Sequence, residues 1–548
     1  MRSDGRASGK GKLSLSFKPF SNHGEFLDHA DDGQLARRTV RNAGVTVFAQ
    51  ASVFAIQLLG TAILARLLKP SDFGLVTMVT TFSLLLASFG LAGFTEAVLQ
   101  AGTLTECQAS NLFWINLGGG FIMSTTFGAA GSLLARFYSN PLITKAAIGF
   151  SVVIFLSILP IIHLALLKRA MRFGQVSTLD ILSRTAYVIA AIACAIAGWG
   201  YWALVAGYVA QQLMYCSGAW YLCSWVPKLP QRESGTGRMV KYAAGVYGRF
   251  ALNYFTGNTD NLLVGWRLGA VALGFYKKAF DLFVLPSSQL LAPILAVVVT
   301  TLSRKNNDLK EYRRYFLRGL TIVAFSGMAV SASLTLTGRD VVRCLLGSQW
   351  GESGRIFLYF APGIGLLLLY QTTAWIHLSM GTTMRWLRWT VIELAVTGSL
   401  FLIGLRRGPA GVAAAWTISY CVLMIPGFLY ALRPLHLSIT TVLQTVWRYA
   451  LAAIAAAAIC FLVLRNMPMP SQLPSGGLGQ AIVRILVNNV LFGLLYLVIL
   501  VILFGSMEPI LQLVRLLPDL LPGFSSRRPE AKSKVGHLAP SPTEDPAL

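Results

Sequence analysis

Residues 63–76 read ILARLLKPSDFGLV, and residues 264–276 read VGWRLGAVALGFY. Each segment ends an apolar stretch with Arg and Leu, passes through a short connection, and opens the next stretch with an apolar residue followed by Gly. The two segments align with one gap, which makes Gly274 the counterpart of Gly74. The recurrence predicts an internal repeat, in which the second half of the chain copies the architecture of the first.

The composition is that of an integral membrane protein. Of 548 residues, 55% are hydrophobic and only 12% are charged, and the mean hydropathy is +0.61. A helix needs about 20 apolar residues to cross the hydrocarbon core. Strand-like alternation of polar and apolar residues is absent, so we expect an all-α polytopic membrane protein and not a β-barrel. Fourteen stretches are candidates for spans, near residues 43–65, 74–97, 110–135, 146–167, 176–198, 201–223, 241–265, 273–299, 316–337, 356–380, 386–405, 410–432, 447–465 and 482–504.

Six candidate spans separate the two copies of the repeat. Because six is even, both copies cross the membrane in the same direction, which predicts two six-helix bundles related by a parallel pseudo-two-fold axis along the membrane normal. Two further helices follow the second bundle. We therefore expect a disordered cytoplasmic tail, an N-terminal bundle, a C-terminal bundle, two additional spans and a second cytoplasmic tail. These regions cover residues 1–42, 43–223, 240–432, 446–504 and 505–548, respectively.

The formal net charge of +24 has its explanation in membrane orientation. On a soluble protein such a charge would favour nucleic acid as a partner. Here the Lys and Arg residues lie mainly between the apolar stretches, and the side that holds both termini carries more than twice as many as the other side. The positive-inside rule then predicts a multi-pass membrane protein with both termini in the cytoplasm, and no nucleic-acid partner.

Sequence motifs for catalysis or cofactor binding are absent. The chain lacks the GxxxxGK[ST] pattern of ATP-hydrolysing proteins, and it has no metal-ligand spacing, so we expect neither a cofactor nor a metal. Its seven cysteines form no CxxC pair and fall mostly in apolar stretches, where they act as small packing residues. A non-enzymatic membrane protein is the expectation that remains.

The seventh candidate span carries charges of both signs. Arg249 and Asp260 are eleven residues apart, which is about three helical turns and about 16 Å in a continuous helix. Asn253 and Thr256 would fall on the same stripe. An Arg at the bilayer centre costs about 3 kcal/mol on insertion scales. The pattern therefore predicts a helix with one wet face, on which these four residues line a cavity and Arg249 binds an anionic group bidentately.

A structural role for Arg249 is the alternative. It could pair with a carboxylate of another helix, for which Glu96, Asp281 and Glu393 are candidates, or it could reach the nearby interface. Asp281 and Glu393 could also serve in coupling or gating of transport.

Other polar or helix-breaking residues within the spans have a plain structural interpretation. Asp180 and Arg184 could pair along one helix face, as could Lys278 and Asp281. The remaining residues are two histidines expected in packing roles and four prolines that permit a hinge or a static kink: His163, His377, Pro160, Pro286, Pro293 and Pro362.

Four segments carry a family resemblance. Residues 64–100, LARLLKPSDFGLVTMVTTFSLLLASFGLAGFTEAVLQ, resemble the start of a Wzx-type polysaccharide-export flippase of the multidrug/oligosaccharidyl-lipid/polysaccharide (MOP) superfamily. Residues 104–117 (LTECQASNLFWINL) and 169–207 continue the resemblance, and residues 259–290 (TDNLLVGWRLGAVALGFYKKAFDLFVLPSSQL) match most specifically. Relatives often have a basic residue directly after the position of Gln100, where this chain has Ala.

The resemblance implies a flippase for undecaprenyl-pyrophosphate-linked oligosaccharide in the bacterial inner membrane. It would move repeat units from the cytoplasmic to the periplasmic leaflet for exopolysaccharide, capsule or O-antigen synthesis, next to a polysaccharide polymerase and chain-length machinery as possible partners. Two other functions stay open. A drug/cation antiporter of the same superfamily would share the fold. A membrane polysaccharide polymerase or ligase would need a large loop with catalytic carboxylates or His, and the loop at residues 466–481 contains none.

Overall fold

The computed structural model describes residues 17–27, 32–232, 235–466 and 478–507, apart from some side chains within the helices. This part of the chain is almost entirely helical and contains no β-strand. The helices are α1 Asp32–Leu67, α2 Pro70–Gln100, α3 Glu106–Ala129, α4 Gly131–Phe137, α5 Leu142–Ile158, α6 Ile161–Arg169, α7 Phe173–Ile196, α8 Tyr201–Leu222, α9 Thr236–Thr256, α10 Thr259–Pro286, α11 Ala292–Arg304, α12 Leu309–Leu346, α13 Gly351–Phe360, α14 Gly363–Gln371, α15 Thr373–Ser379, α16 Thr383–Leu405, α17 Gly408–Leu432, α18 Ile439–Asn466 and α19 Leu478–Phe504.

The helices confirm an all-α polytopic membrane protein. Within the described ranges, nine helices are long and apolar enough to cross a membrane, or eleven if each of two bent pairs forms one span. The bends are 47° between α3 and α4 and 55° between residues 348–360 and 363–379. Three of the fourteen candidate spans, at α8, α9 and α10 with α11, do not reach the same apolar character. The count of fourteen therefore stays a prediction.

The two copies of the repeat meet at one helix crossing. A Cβ added to Gly74 of α2 would overlap the carbonyl of Ala270, and one added to Gly274 of α10 would overlap the carbonyl of Pro70. Only glycine lets the two backbones approach so closely. Counterpart residues of a two-fold repeat approach each other in this way where the axis passes between their helices. The close contact between α2 and α10 agrees with the predicted repeat, while its division into two six-helix bundles stays a prediction.

Residue Gly269 divides α10 at the same motif. Its φ of 82° and ψ of 179° are not helical, so residues 259–268 and 270–286 form two helical pieces. The first copy has a helix boundary at the matching place, where α2 begins with Pro70 after α1 ends at Leu67. Proline is favoured in the first helical turn because the N–H it lacks would have no intrahelical partner there.

The expectation of one continuous helix over residues 241–265 is wrong. Helix α9 ends at Thr256, and α10 begins at Thr259. The intervening Gly257–Asn258 pair is a turn signal, and Asn258 donates its side-chain N–H to the carbonyl of Tyr254 at 2.9 Å. Because the helix is interrupted, Asp260 does not continue the face of α9 that begins at Arg249.

Residues 17–27, which we call the N-terminal clasp, pack against the ends of the helices. The expectation that residues 1–42 form a disordered tail is therefore wrong for this part. Phe17 is buried, its N–H donates to the carbonyl of Leu222 at 2.8 Å, and its carbonyl accepts from Ser224 at 2.9 Å. The N–H of Glu106 donates to Gly24 at 2.8 Å. The clasp thereby joins the start of α3 to the end of α8.

The four prolines predicted to bend helices all lie at helix boundaries, whereas Pro426 lies inside α17. Pro160 separates α5 from α6, and Pro362 separates α13 from α14 at the 55° bend. Pro286 ends α10 before a five-residue π-helix at Ser287–Leu291, and Pro293 lies in the first turn of α11. Each of the four therefore lies where a helical segment begins or ends, which the loss of its backbone N–H favours.

Candidate functional site

A cavity of about 580 Å³ lies between the two halves of the repeat, and we call it the central cavity. Its walls come from α1, α2, α7 and α8 on one side, and from α10, the π-helix and the end of α12 on the other. Residues Thr77 and Lys277, each three positions after the glycine of its motif, both line it. The cavity therefore surrounds the region where the two copies of the repeat face each other.

Three cations and one carboxylate line the central cavity: Arg184 of α7 with Lys277, Lys278 and Asp281 of α10. Asp281 accepts from Lys277 at 2.9 Å and lies 3.9 Å from Lys278. The ion pair expected between Lys278 and Asp281 is therefore present, but Lys277 makes the shorter contact. A single carboxylate cannot neutralise three cations, so the described wall carries a net positive charge.

Arg184 is the least satisfied of these cations. Its Nε is buried and has no hydrogen-bond partner among the described residues, and the guanidinium lies 5.9 Å from the ring centre of Tyr187. The expected contact ion pair between Asp180 and Arg184 does not form within the described part of the chain; Asp180 accepts a hydrogen bond from Tyr215 and interacts with Arg184 only at longer range. A cation without a contact ion pair in a low-dielectric site is costly, which favours an anionic ligand beside it.

The predicted stripe on α9 is only partly visible. The side chains of Arg249, Asn253 and Thr256 lie outside the described residues, which give only their helical backbone. Asp260 has 0% exposure and accepts hydrogen bonds from Tyr276 at 2.7 Å and Trp416 at 3.0 Å. Its side chain is therefore enclosed between α10 and α17, away from the central cavity.

Helix α9 is held against α2 by hydrogen bonds that cross between the two copies of the repeat. Tyr247 donates to the carbonyl of Leu85 at 3.0 Å, and Tyr254 donates to the carbonyl of Thr80 at 3.3 Å. The backbone of α9 also approaches α2 closely, since a Cβ on Gly93 would lie 2.7 Å from the carbonyl oxygen of Ala243. These contacts keep α9 on the α2 side of the cavity.

Glu393 of α16 lies in a second cavity of about 470 Å³ within the C-terminal half. Tyr370 donates a hydrogen bond to its carboxylate at 3.3 Å and accepts one from Trp389 at 2.6 Å. Aromatic rings of Trp386, Trp416 and Tyr420 also line this cavity, and its described lining contains no Lys, Arg or His. The two cavities thus have opposite electrostatic character.

The histidines and cysteines take structural places. His163 is fully buried, with Nε2 at 3.1 Å from the carbonyl of Trp225 and its ring stacked on Trp220 at 4.4 Å. His377 is buried with Nδ1 at 3.1 Å from the hydroxyl of Thr382. The cysteines form no disulfide in the described ranges, and no cluster of three metal-ligating side chains occurs there.

Sequence reasoning did not bring Arg184, Lys277 and Lys278 together in one cavity wall. Their local spacing suggested only ion pairs within one helix. The repeat contained a usable signal, because Thr77 and Lys277 occupy matching positions and both face the cavity. Nothing in the linear sequence, however, brings Arg184 of α7 next to α10.

The family model described as "Polysaccharide biosynthesis protein" matches residues 63–355, which is more than half of the chain. The protein belongs to this family. It is a multi-pass protein of the bacterial inner membrane, from a family whose named members are transporters rather than catalysts.

Among its relatives, the succinoglycan biosynthesis transport protein ExoT of Rhizobium meliloti (strain 1021) is 23% identical, over 70% of this chain and 77% of the relative. The lipopolysaccharide biosynthesis protein WzxC of Escherichia coli (strain K12) is 20% identical, over 58% of this chain and 65% of the relative. The teichuronic acid biosynthesis protein TuaB of Bacillus subtilis (strain 168) is 21% identical, over 62% of this chain and 70% of the relative.

Two solved structures share the fold. The lipid II flippase MurJ in an inward closed conformation superposes with a TM-score of 0.68 at 14% identity, covering 84% of this chain and 99% of MurJ. A multidrug resistance MATE family transporter of the MOP superfamily, in its inward-facing conformation, gives a TM-score of 0.55 at 15% identity, covering 71% of this chain and 95% of the transporter. At these identities the likeness establishes the fold alone.

Proposed function

We propose that this protein moves undecaprenyl-diphosphate-linked oligosaccharide repeat units from the cytoplasmic to the periplasmic leaflet. The observation that carries the proposal is the net positive central cavity, in which Arg184, Lys277 and Lys278 share one carboxylate, Asp281. A diphosphate is the charged part of such a substrate, and guanidinium binds phosphate oxygens bidentately. The relatives named for polysaccharide transport and the fold of a lipid II flippase support the same substrate class.

The charge of the cavity argues against the drug/cation antiporter. An organic cation entering a low-dielectric cavity with three cations and one carboxylate would be repelled, whereas an anion would be attracted. A polymerase or ligase is disfavoured for a different reason. The described lining contains no His, and Asp281, its carboxylate, is held by Lys277, which leaves no evident general base.

Within this proposal the diphosphate lies between Arg184 and the lysines of α10. Arg249, Asn253 and Thr256 on α9 stay candidates for the same cavity. Asp281 sets the positions of Lys277 and Lys278 and thereby tunes or gates the site. The role proposed from the sequence for Asp260 changes to that of an anchor, since its carboxylate ties the start of α10 to Trp416.

Glu393 is the candidate for coupling. Its cavity contains a carboxylate, aromatic rings and no described cationic side chain, which suits a proton or another small cation. Protonation of Glu393 would remove a charge from the interior of the C-terminal half and so could bias the two access states. The proposal also includes both termini in the cytoplasm and contacts with polysaccharide polymerase and chain-length proteins.

The test is binding and transport by Arg184→Gln. Hydrogen bonds to charged groups contribute about 1.5–3 kcal/mol, so affinity for undecaprenyl diphosphate in nanodiscs should fall about tenfold to a hundredfold at normal protein level. Arg184→Lys should retain part of the affinity because the charge remains while the planar fork is lost. Arg249→Ala and Arg249→Lys, assayed in parallel, test the sequence-based candidate.

The matched control is Arg355→Gln, since the Arg355 side chain is 70% exposed and paired with Glu352 outside the cavity. It should bind and export normally. Surface polysaccharide in a strain that depends on this protein gives the second measurement. Normal binding and export by Arg184→Gln, with Arg249→Ala equally silent, would remove the basis for the proposed substrate.

A further inference from the structure

Two tyrosines form part of the central cavity wall beside Arg184. Tyr187 of α7 lies one turn after Arg184, and Tyr208 of α8 lies edge-on to it, with ring centres 5.0 Å apart and planes at 65°. Tyr208 is also near enough to Lys277 and Asp281 to interact with both electrostatically. The two rings therefore adjoin the place proposed for the diphosphate.

The rings are held rigidly by hydrocarbon packing. Tyr208 contacts Phe150 at a centroid distance of 5.5 Å, and a Cβ on Gly207 would lie 3.0 Å from the ring of Tyr187. Packing of this kind uses the ring faces and edges and would be served equally by phenylalanine. It gives no reason for a hydroxyl at either position.

Both hydroxyls lack a protein hydrogen bond within the described residues. Neither hydroxyl is among the fully buried unpaired atoms of the described residues, so both open onto the cavity, where they are available to a ligand. The same side of the cavity presents further hydrogen-bonding groups, Gln57 and Thr61 of α1. A ligand that lies against this side would need an apolar face for the rings and hydroxyls for the polar groups.

A pyranose ring has both properties, since its C–H groups form an apolar face and its hydroxyls donate and accept at the rim. In a lipid-linked repeat unit the first sugar is bonded directly to the diphosphate, so it must lie within one ring of the cations. A cavity of about 580 Å³ has the size that encloses one drug-sized molecule. It can hold the diphosphate and a few sugar rings, but not a long repeat unit with its lipid.

We propose that Tyr187 and Tyr208 bind the first sugar of the repeat unit and determine which sugar the protein accepts. This inference rests on the proposed function and deepens it. The two tyrosines recognise the pyranose attached to the diphosphate, while the cations recognise the diphosphate of every substrate. Distal sugars of the repeat unit lie beyond the recognising walls, so repeat units that share the first sugar are accepted alike.

The experiment compares two probes with the purified full-length protein in nanodiscs: undecaprenyl diphosphate, and undecaprenyl diphosphate carrying one glucose, galactose or N-acetylglucosamine. The measured quantity is the ratio of the two dissociation constants. For at least one of the three sugars the sugar-bearing probe should bind about tenfold more tightly to the wild type, as two hydroxyl hydrogen bonds predict. The ratio should fall to about one in the double variant Tyr187→Leu, Tyr208→Leu.

Two variants separate sugar recognition from diphosphate binding. Arg184→Gln should weaken binding of both probes and keep their ratio. Tyr221→Leu, on the same helix as Tyr208 but 65% exposed and remote from the cavity, should keep both affinities. If the double leucine variant is misfolded, the double variant Tyr187→Phe, Tyr208→Phe tests the inference instead. It keeps the aromatic rings and removes both hydroxyls, so the ratio of the two dissociation constants should fall at least threefold.

The outcomes distinguish this inference from the proposed function. Absence of binding of either probe to the wild type would defeat the proposed function. Binding of both probes with a ratio of one for all three sugars would leave the function standing and overturn the role of the tyrosines. A ratio that is unchanged in both double variants would also overturn it.

Discussion

Phe17 connects the N-terminal clasp to the rest of the protein, and Phe17→Ala should release the clasp. The side chain is 3% exposed, and the guanidinium of Arg172 lies 4.5 Å from the ring centre. Its backbone pairs with Leu222 and Ser224 on both sides of the residue. The substitution removes the ring contacts and leaves the backbone pairing without support.

The expected cost follows from these contacts. Truncating a buried Phe to Ala costs about 3–5 kcal/mol in protein cores, and loss of an exposed cation–π contact adds about 0.5–1 kcal/mol. The clasp lies at the end of the bundle, where water can fill the space, so we take about 3 kcal/mol as the lower end of that range. This corresponds to an increase of about a hundredfold in the population of the opened clasp.

Hydrogen–deuterium exchange followed by mass spectrometry measures that population. The amides of Ser224 and Glu106, which donate to Phe17 and Gly24, should exchange about a hundredfold faster in Phe17→Ala, while peptides from α10 should be unchanged. The control is Phe121→Ala, whose side chain is 59% exposed. Equal exchange of the Ser224 amide in wild type and Phe17→Ala would mean that the clasp does not pack there, and the sequence-based expectation of a disordered tail would stand.

Three further predictions concern the helices around the central cavity. Gly274→Val should push α10 away from α2 and lower the apparent melting temperature. The control Gly118→Val should not, because a Cβ added at Gly118 meets open space. Equal melting temperatures of the two variants would contradict the close crossing. The double variant Tyr247→Phe, Tyr254→Phe removes two hydrogen bonds of about 1 kcal/mol each between α9 and α2. Spin labels on α9 and α2 should then show a larger share of long distances. An unchanged distance distribution would show that these hydrogen bonds do not hold α9 against α2. Topology reporters follow from the repeat and the charge bias, and a cytoplasmic signal at residue 270 would break the repeat argument. They should report the periplasm after residues 140, 270 and 475, and the cytoplasm after residues 172, 235, 308 and at the C-terminus.

Long-range order was predictable where a sequence pattern reflects a physical constraint. Apolar stretches of span length can only be helices in lipid, so the all-α class followed from composition. The pair Gly74 and Gly274 was visible as a repeat because both backbones need glycine at the same crossing. The clasp gave no such signal, since a short segment without helix or strand periodicity depends on contacts with Leu222, Ser224 and Arg172 that lie far away in sequence.

The break between α9 and α10 was overlooked for a different reason. Apolar residues on both sides favoured one span, and the Gly257–Asn258 pair was read as part of it. The local turn chemistry prevails, because Asn258 pairs with the carbonyl of Tyr254 and Asp260 finds donors on α10 and α17. A helical stripe is a sound argument only while the helix is continuous, so the link from Arg249 to Asp260 fails even though each residue can still matter.

The central cavity combines a symmetric backbone with an asymmetric set of side chains. Thr77 and Lys277 hold matching positions in the two copies of the repeat, but one contributes a hydroxyl and the other a cation. The lysines therefore concentrate positive charge on the α10 wall, and Arg184 of α7 is the described cation that faces them from the other half. An anion bound between these walls contacts both halves at once, and its attraction to them is lost when they separate. Binding energy that depends on the distance between the halves is what couples a ligand to alternating access, because a ligand shifts an equilibrium only through its different affinity for the two states.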